Sequence, residues 1–315
     1  MTARVFHGLD QVPAGLGPTV ATVGMFDGVH RGHQALLRRV TEKAAAAQAQ
    51  PAAVTFDRHP LEVLRPEAAP PLLCTLPERI ELLGAAGMEL LLVLEFDQAL
   101  SQVSADQFAT RVLFDALAAR AVVVGENFRF GNRAKGDVAL LAALGAERGV
   151  EAVGVSLHGD EHGEVISSTR VRGELARGDV RAAAFSLGRP YSVSGPVVKG
   201  AGRGRALGVP TANVEVGERI ALPAFGVYAG RVVVEAGQPM PAAINVGVSP
   251  QFDGDQTRVE AYLLDFDGDL YGRGLSVRFE HRLRGEQVFP GVDELVAQMR
   301  EDIAVTRRLL AESPS

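Results

Sequence analysis

Cysteine is almost missing from this chain. Cys74 is the only one among 315 residues, which excludes an intramolecular disulfide and any multi-cysteine zinc or iron–sulfur site. Long apolar runs are missing too: no stretch approaches the ~18 uninterrupted apolar residues of a membrane-spanning helix. The opening MTARVFHGLDQVPAG has neither the basic start nor the apolar stretch of an export signal. A soluble protein in a reducing cytoplasm is therefore expected. Excess positive charge is also absent, since 32 Lys and Arg stand against 38 Asp and Glu for a formal charge of -6. Cut at residue 185, the chain carries 18 basic and 22 acidic residues before the cut and 14 and 16 after it. Neither half can make the many phosphate contacts that duplex nucleic acid demands, so no nucleic-acid or membrane partner is expected. Positive charge is local instead, in RFGNRAK from Arg129 and KGAGRGR from Lys199, a pattern suited to small phosphorylated ligands.

With 47% hydrophobic and 22% charged residues, the composition is that of a folded globular protein, and the length favours two domains. Up to residue 185, short β-branched runs (TVATVG at 19–24, AAVTF at 52–56, ELLLVL at 89–94, AVVVG at 121–125, VEAVGV at 150–155) alternate with helical stretches. That is the pattern of β-α units around a parallel sheet, here with five central strands. A helix is expected near 33–49, and Thr75-Leu-Pro-Glu78 and Ser104-Ala-Asp-Gln107 have the spacing of capping boxes that open two more. From 186 onward, strand-like runs separated by Gly, Pro and Asp turns continue to about residue 284, followed by a helical stretch over 292–311. They predict a small antiparallel barrel with a terminal helix, on which Leu295, Val296, Met299, Ile303 and Leu310 share a packing face. Asp265-Phe-Asp-Gly-Asp269 has Leu270 where a calcium loop needs glycine, and is expected to be a hairpin turn.

The sharpest chemistry lies in Gly24-Met-Phe-Asp-Gly-Val-His-Arg-Gly-His33, directly after the first long strand and opening the first long helix. Backbone N–H groups in such a turn favour phosphate, glycines at 28 and 32 let the backbone approach it, and His30 and His33 can donate to its oxygens. A metal pair and ordinary loop histidines are the alternatives. In the second half, the glycine-rich basic loop from Lys199 can wrap phosphates, and the Thr211 hydroxyl and Asn213 amide oxygen can hold Mg2+. In RVEAYLLDF, a period of two puts Glu260 on the face of Tyr262, Leu264 and Phe266, a mostly apolar face expected to point inward. A carboxylate there can act as a general base; the alternative is a salt bridge to Arg205 or Arg284.

These motifs, with Val54-Thr-Phe-Asp57, His59-Pro60, Gly125-Glu-Asn-Phe-Arg-Phe-Gly131, Ile166-Ser-Ser-Thr-Arg-Val-Arg172 and Pro210-Thr-Ala-Asn213, resemble the prokaryotic bifunctional riboflavin kinase/FAD synthetase family over nearly the whole chain. The resemblance implies a Rossmann-like nucleotidyltransferase domain at 1–185 that adenylylates FMN to FAD, and a riboflavin kinase barrel at 186–315, both using ATP. It implies catalytic roles for Glu260, His30, His33 and Arg172. ATP and phosphate contacts fall to Gly24, Phe26, Asp27, Gly32, Asn127, Ser168 and Thr169, and in the barrel to Lys199, Gly202, Gly204 and Arg205. Flavin contacts fall to Asp57, His59 and Arg284, and Mg2+ to Thr211 and Asn213. Ser168 is also suited to cap the helix that starts near 169. One position departs from the family: Arg58 stands inside what is commonly Phe-Asp-Pro-His-Pro. The rival readings are a nucleotidyltransferase for another phosphorylated acceptor and a flavin- or nucleotide-binding regulator without turnover. A monomer or weak homo-oligomer is expected.

Overall fold

Apolar runs with few polar interruptions make strands that are buried on both faces, which requires helices on each side of the sheet. The structure, a computed structural model, describes residues 3–156, 159, 163–200, 204, 208–251 and 254–312. The chain divides into two compact units, Met1–Ser168 and Thr169–Ser315. In the first, β1 (Arg4–His7), β2 (Thr19–Val23), β3 (Gln50–Phe56), β4 (Leu90–Leu94), β5 (Ala119–Gly125) and β6 (Glu151–Val155) form one sheet in the order β1-β4-β3-β2-β5-β6. Every neighbouring pair is parallel. The sheet has six strands where five were expected, because β1 is four residues long at an edge with both ends exposed, too short for its alternation to register.

Successive side chains of each strand enter different cores. Val20, Ala53, Leu91 and Val123 pack with Leu37 and Val40 of α1 (Arg31–Ala46). Beyond the short α2 (Leu61–Leu64), α3 (Leu76–Ala85) covers the same face through Leu83. Ala21, Val54, Leu92 and Val122 pack on the other side. There, after α4 (Gln98–Ser101), α5 (Ala105–Phe108) runs on as a wider π-helix over Ala109–Ala116, followed by α6 (Val138–Ala146). Each fully buried Val or Leu contributes roughly 1.5–3 kcal/mol, so these two faces carry most of the unit's stability. Both expected capping boxes are formed, Thr75 with Glu78 and Ser104 with Gln107. Helix α1 starts two residues before the expected position because His30 is its N-cap. In this strand order the chain leaves β2 for β3 on one side and returns to β5 on the other. The crevice beyond the ends of β2 and β5 is the switch point at which open parallel sheets bind ligands.

The second unit holds α7 (Ser168–Ala176), save its first residue, and α8 (Val180–Leu187), then a closed barrel. Its strands are β7 (Tyr191–Val198), β8 (Ala212–Val214), β9 (Gly226–Val234), β10 (Met240–Gln251), β11 (Gly254–Leu263) and β12 (Gly274–Arg284), ordered β10-β11-β8-β7-β12-β9 and antiparallel throughout. Tyr191, Tyr228 and Phe279 fill the interior, with the Tyr228 ring edge-on to Phe279 at 5.4 Å. The tyrosine hydroxyls donate to the carbonyls of Ala221 and Ala224, which satisfies the only polar atoms these side chains bury. Helix α9 (Val292–Glu312) packs on β9 and β10, burying Asp302, Thr306 and Leu310. Helices α7 and α8 belong to this unit: Ala224 N donates to Leu175 O at 2.9 Å and Arg282 Nη1 to Arg177 O at 3.0 Å.

Two expectations about the barrel are corrected. The segment around Asp265–Asp269 is not a hairpin turn, since β11 pairs with β10 and β8 while β12 pairs with β7 and β9; the segment is a crossover that passes two intervening strands. Nor does Glu260 face the barrel core. Val259, Ala261 and Leu263 are the buried face at 0%, 0% and 4% exposure, and Glu260 and Tyr262 stand on the opposite face against a cavity. Apolar residues stand on both faces of this stretch, so apolar neighbours did not distinguish inside from outside.

Candidate active site

In the first unit the Gly24–His33 turn is built for close approach. Phe26 adopts a left-handed conformation (φ 50°) and turns its ring under Gly24, where an added Cβ would meet it at 3.1 Å. The Phe26 ring is 1% exposed and stands edge-on to His33 at 5.2 Å. His30 caps α1: its Nδ1 accepts from the His33 amide at 3.3 Å. An imidazole that accepts at Nδ1 presents Nε2 as its donor. The two imidazoles are stacked with centroids 3.6 Å apart. His33 is held well below the ordinary histidine range, by burial first, then by His30 and by the charge of Arg79. Both rings therefore sit at the N-terminus of α1, where its dipole favours anions.

Gly32 is sterically determined. A Cβ there would lie 2.9 Å from the carbonyl of Ile166 and 3.1 Å from the His30 ring. Gly32→Ala is expected to push the His30 ring off the helix cap at a cost of ~1–3 kcal/mol and to lower FAD formation at least tenfold, as read by thermal unfolding and initial rates.

Two residues assigned to phosphate turn inward. Asp27 is 2% exposed, and its carboxylate accepts from the Leu73 amide at 2.8 Å. Its carbonyl accepts from Ser168 Oγ at 2.9 Å. The Asp27 side chain thus holds the loop that a phosphate would approach, and Phe26 is packing beneath it. Cys74 joins this brace by accepting from the Gly28 amide at 3.2 Å, and burial raises its thiol to about 11, so it stays protonated. Ser168 is the first residue of α7 and donates its hydroxyl to Asp27 O. Thr169 and Arg172 follow on α7 in the second unit, Thr169 exposed and Arg172 half-buried.

The other predicted residues of this unit lie at neighbouring strand ends. Asp57 follows β3; burial pushes its carboxyl up, but bonds from Arg58 and from the Phe96 amide at 2.8 Å outweigh this and hold it below the usual range. Arg58, the departure from the family pattern, is a partly exposed clasp on Asp57 at 2.7 Å, with Glu95 further away at 3.6 Å. His59 Nδ1 accepts from the Leu61 amide at 3.1 Å. Asn127 is exposed in the turn after β5, beside Phe128, which stacks on Phe130 at 5.3 Å. The loops after β2 and β5 thus flank the switch point.

In the barrel, Glu260 stands in register between Asn213 of β8 and Asn245 of β10. Residues directly opposite in antiparallel strands share a face, so the three form one polar row. Sequence reasoning did not single out Asn245; its signal was an amide in the otherwise apolar AAINVG. Glu260 and Asn245 line a cavity of about 610 Å³ whose other walls include Val227, Phe289, Leu295, Met299 and Ile303. Arg284 lines it too, held by Asp302 at 2.8 and 3.1 Å, so its ion-pair partner is Asp302 and not Glu260. Thr211 borders this cavity and a second of about 380 Å³ beside Asp267–Asp269.

The glycine-rich loop lies on the same residues. A Cβ at Gly200 would come within 2.3 Å of the Asn213 amide, and one at Gly204 within 2.4 Å of Val209 O and 3.4 Å of Thr211 Oγ1. Among the described residues, Asn213 Oδ1 is buried with no hydrogen-bond partner. A buried amide oxygen left unpaired fits a hard cation such as Mg2+. Lys199 is exposed just past the end of β7, and Gly202 and Arg205 lie outside the described residues.

A glycine- and histidine-bearing turn at a parallel-sheet switch point, followed by a barrel with a carboxylate in register with two asparagines, fits a two-domain nucleotide-dependent transferase. The FAD synthetase family model matches residues 13–170 and the riboflavin kinase family model residues 187–310. The chain belongs to the bifunctional riboflavin kinase/FMN adenylyltransferase family and carries both activities, adenylylation in the first unit and the kinase in the second. It is 41% identical to the bifunctional riboflavin kinase/FMN adenylyltransferase of Pseudomonas fluorescens over 93% of this chain and 94% of that one. The Escherichia coli K12 protein of the same description is 36% identical over 96% of each. A crystal structure described as a macrolide-efflux protein from Streptococcus pneumoniae superposes with a TM-score of 0.86 at 32% identity, covering 98% of this chain and 99% of that one. Among the described residues no helix is long and apolar enough to cross a membrane.

Proposed function

We propose a division of labour at residue level. In the barrel, riboflavin occupies the cavity of about 610 Å³, its ring among the apolar residues of α9 and its 5'-hydroxyl at Glu260, which takes the proton as that oxygen attacks the γ-phosphate of ATP. The nucleotide lies toward the cavity of about 380 Å³ on the far side of Thr211. Thr211 and Asn213 would hold Mg2+, which would neutralise phosphate charge; Asn213 and Asn245 orient Glu260. The products are FMN and ADP. In the first unit, His30 and His33 donate to the α-phosphate of a second ATP as FMN attacks it, and pyrophosphate leaves along the α1 N-terminus. Asn127, Asp57 and His59 bind nucleotide and flavin, and the motif assigns Arg172 a part in ATP binding. Both transfers rest on positioning and charge stabilisation, so no covalent nucleophile is required. The substrates are small and soluble, and the setting is cytoplasmic.

The observation that carries this reading is the Asn213–Glu260–Asn245 row, because it sets an oxygen donor without a partner among the described residues in register with a carboxylate that lines the cavity. Incubating the chain with riboflavin, ATP and Mg2+ and separating the flavins tests it: FMN then FAD are expected, and absence of FMN sinks the kinase assignment. We place the functional boundary near 185/186 by motif. The packing of α7 and α8 on the barrel then predicts that a 169–315 fragment makes FMN with a higher melting temperature than a 186–315 fragment. Asn213→Ala is expected to raise the Mg2+ concentration for half-maximal FMN formation about tenfold or more, the scale for losing one ligand or its supporting shell, and to leave adenylylation of supplied FMN unchanged.

A further inference from the structure

Arg79 is among the largest fully buried side chains of the chain, at 0% exposure. It sits one turn into α3, a position where the sequence suggests nothing more than a solvent-facing arginine. Its Nη1 donates to Phe56 O at 2.7 Å and to Thr55 Oγ1 at 3.3 Å, and lies 3.7 Å from Met25 Sδ. Thr55 Oγ1 in turn donates to Met25 O at 3.1 Å. One guanidinium therefore spans the turn after β2 and the end of β3, the two segments that lead into Gly24–His33 and Asp57–His59. Nε and Nη2 are buried with no hydrogen-bond partner, and Arg79 forms no ion pair among the described residues. A guanidinium stays protonated at any working pH. Burying it without a carboxylate is costly, and replacing it with an apolar side chain of similar length should be neutral or stabilising. A feature that costs stability in the free protein is explained when something else supplies the missing negative charge.

We propose that Arg79 is a positioning residue for adenylyl transfer: it locks the turn after β2 to the end of β3, and its unneutralised charge is completed by the phosphates of the substrate or of departing pyrophosphate. The same charge acts on His33, favouring the neutral ring. Asp27 accepts from the Leu73 amide and Glu78 closes the Thr75 capping box, and neither forms an ion pair with Arg79 among the described residues. The inference rests on the first unit being the adenylyltransferase. Failure of the unmodified chain to form FAD would sink that reading, whereas the variants below test Arg79 itself.

The experiment compares the intact chain with Arg79→Met and Arg79→Lys. It measures the thermal transition, FAD formation from FMN and ATP, and the reverse reaction of FAD with pyrophosphate and Mg2+. Arg79→Met is expected to melt at the same temperature or higher, to raise the KM for pyrophosphate at least tenfold and to lower kcat/KM for FAD formation about a hundredfold. Arg79→Lys, which keeps the charge but loses the fork, should recover part of the pyrophosphate KM. FMN formation from riboflavin should be unchanged in both. The proposal is overturned if Arg79→Met fails to fold or melts well below the parent, since the side chain is then structural. An unchanged pyrophosphate KM in a folded Arg79→Met enzyme overturns it equally.

Discussion

Glu260→Gln is expected to lower kcat for FMN formation by ~10² to 10⁴, the range for removing a general base, while adenylylation of supplied FMN continues at its normal rate. The amide keeps the size of the side chain and its place between Asn213 and Asn245, so the row and the cavity wall persist and the loss reports on basicity. The alternative role, half of a salt bridge, predicts a different pattern. Arg284 is held by Asp302 through Nε and Nη2, and neutralising Glu260 leaves that pair intact. A salt-bridge role would therefore show as a lower melting temperature with little change in kcat. A Glu260→Gln enzyme that turns over at the parental rate, with chemistry shown to be rate-limiting, would remove the base assignment.

His33→Ala should slow FAD formation by roughly a hundredfold or more, the effect of losing one preorganised donor to a developing charge, with FMN formation near normal. The same substitution has a signature in stability. Because the ring is held well below its ordinary value of 6.5, between those two values the unfolded chain binds a proton that the folded chain does not. Stability therefore falls as pH drops below about 6.5, by at most ~1.4 kcal/mol per pH unit for this one group, and is unaffected above it. His33→Ala removes that slope. Chemical unfolding at pH 7.5 and at pH 5.5 should show a smaller acid-induced loss in the variant than in the parent; an equal loss would mean that His33 titrates normally in the folded chain.

The Gly24–His33 turn was legible because its signals are local. Glycines, two histidines three residues apart and the strand-to-helix context all lie within ten residues, and the structure brings His30 onto the α1 cap through the His33 amide. The roles of Asp27 and Phe26 were not legible. A carboxylate in a phosphate loop looks like a ligand contact until the Leu73 amide, 46 positions away, is seen to occupy it. The same holds for Ser168, whose hydroxyl partner Asp27 is 141 positions distant. Arg79 gave no signal at all, because an arginine on an amphipathic helix is ordinarily solvated and only the packing of α3 against the ends of β2 and β3 buries it.

By itself, the sequence determined the two-unit organisation, the parallel sheet, the barrel with its terminal helix, and the family. Those follow from hydrophobic period, capping residues and contiguous motifs, which are properties of short windows. Tertiary structure decided which face of β11 carries Glu260, that Asn245 stands beside it, that Arg284 answers to Asp302, and that the Asp265–Asp269 segment crosses the barrel end. Each of these depends on strand order and on what covers each face. Period-two alternation fixes which residues share a side of a strand but not which side is the core when both sides carry apolar residues, one filling the barrel interior and one lining a cavity.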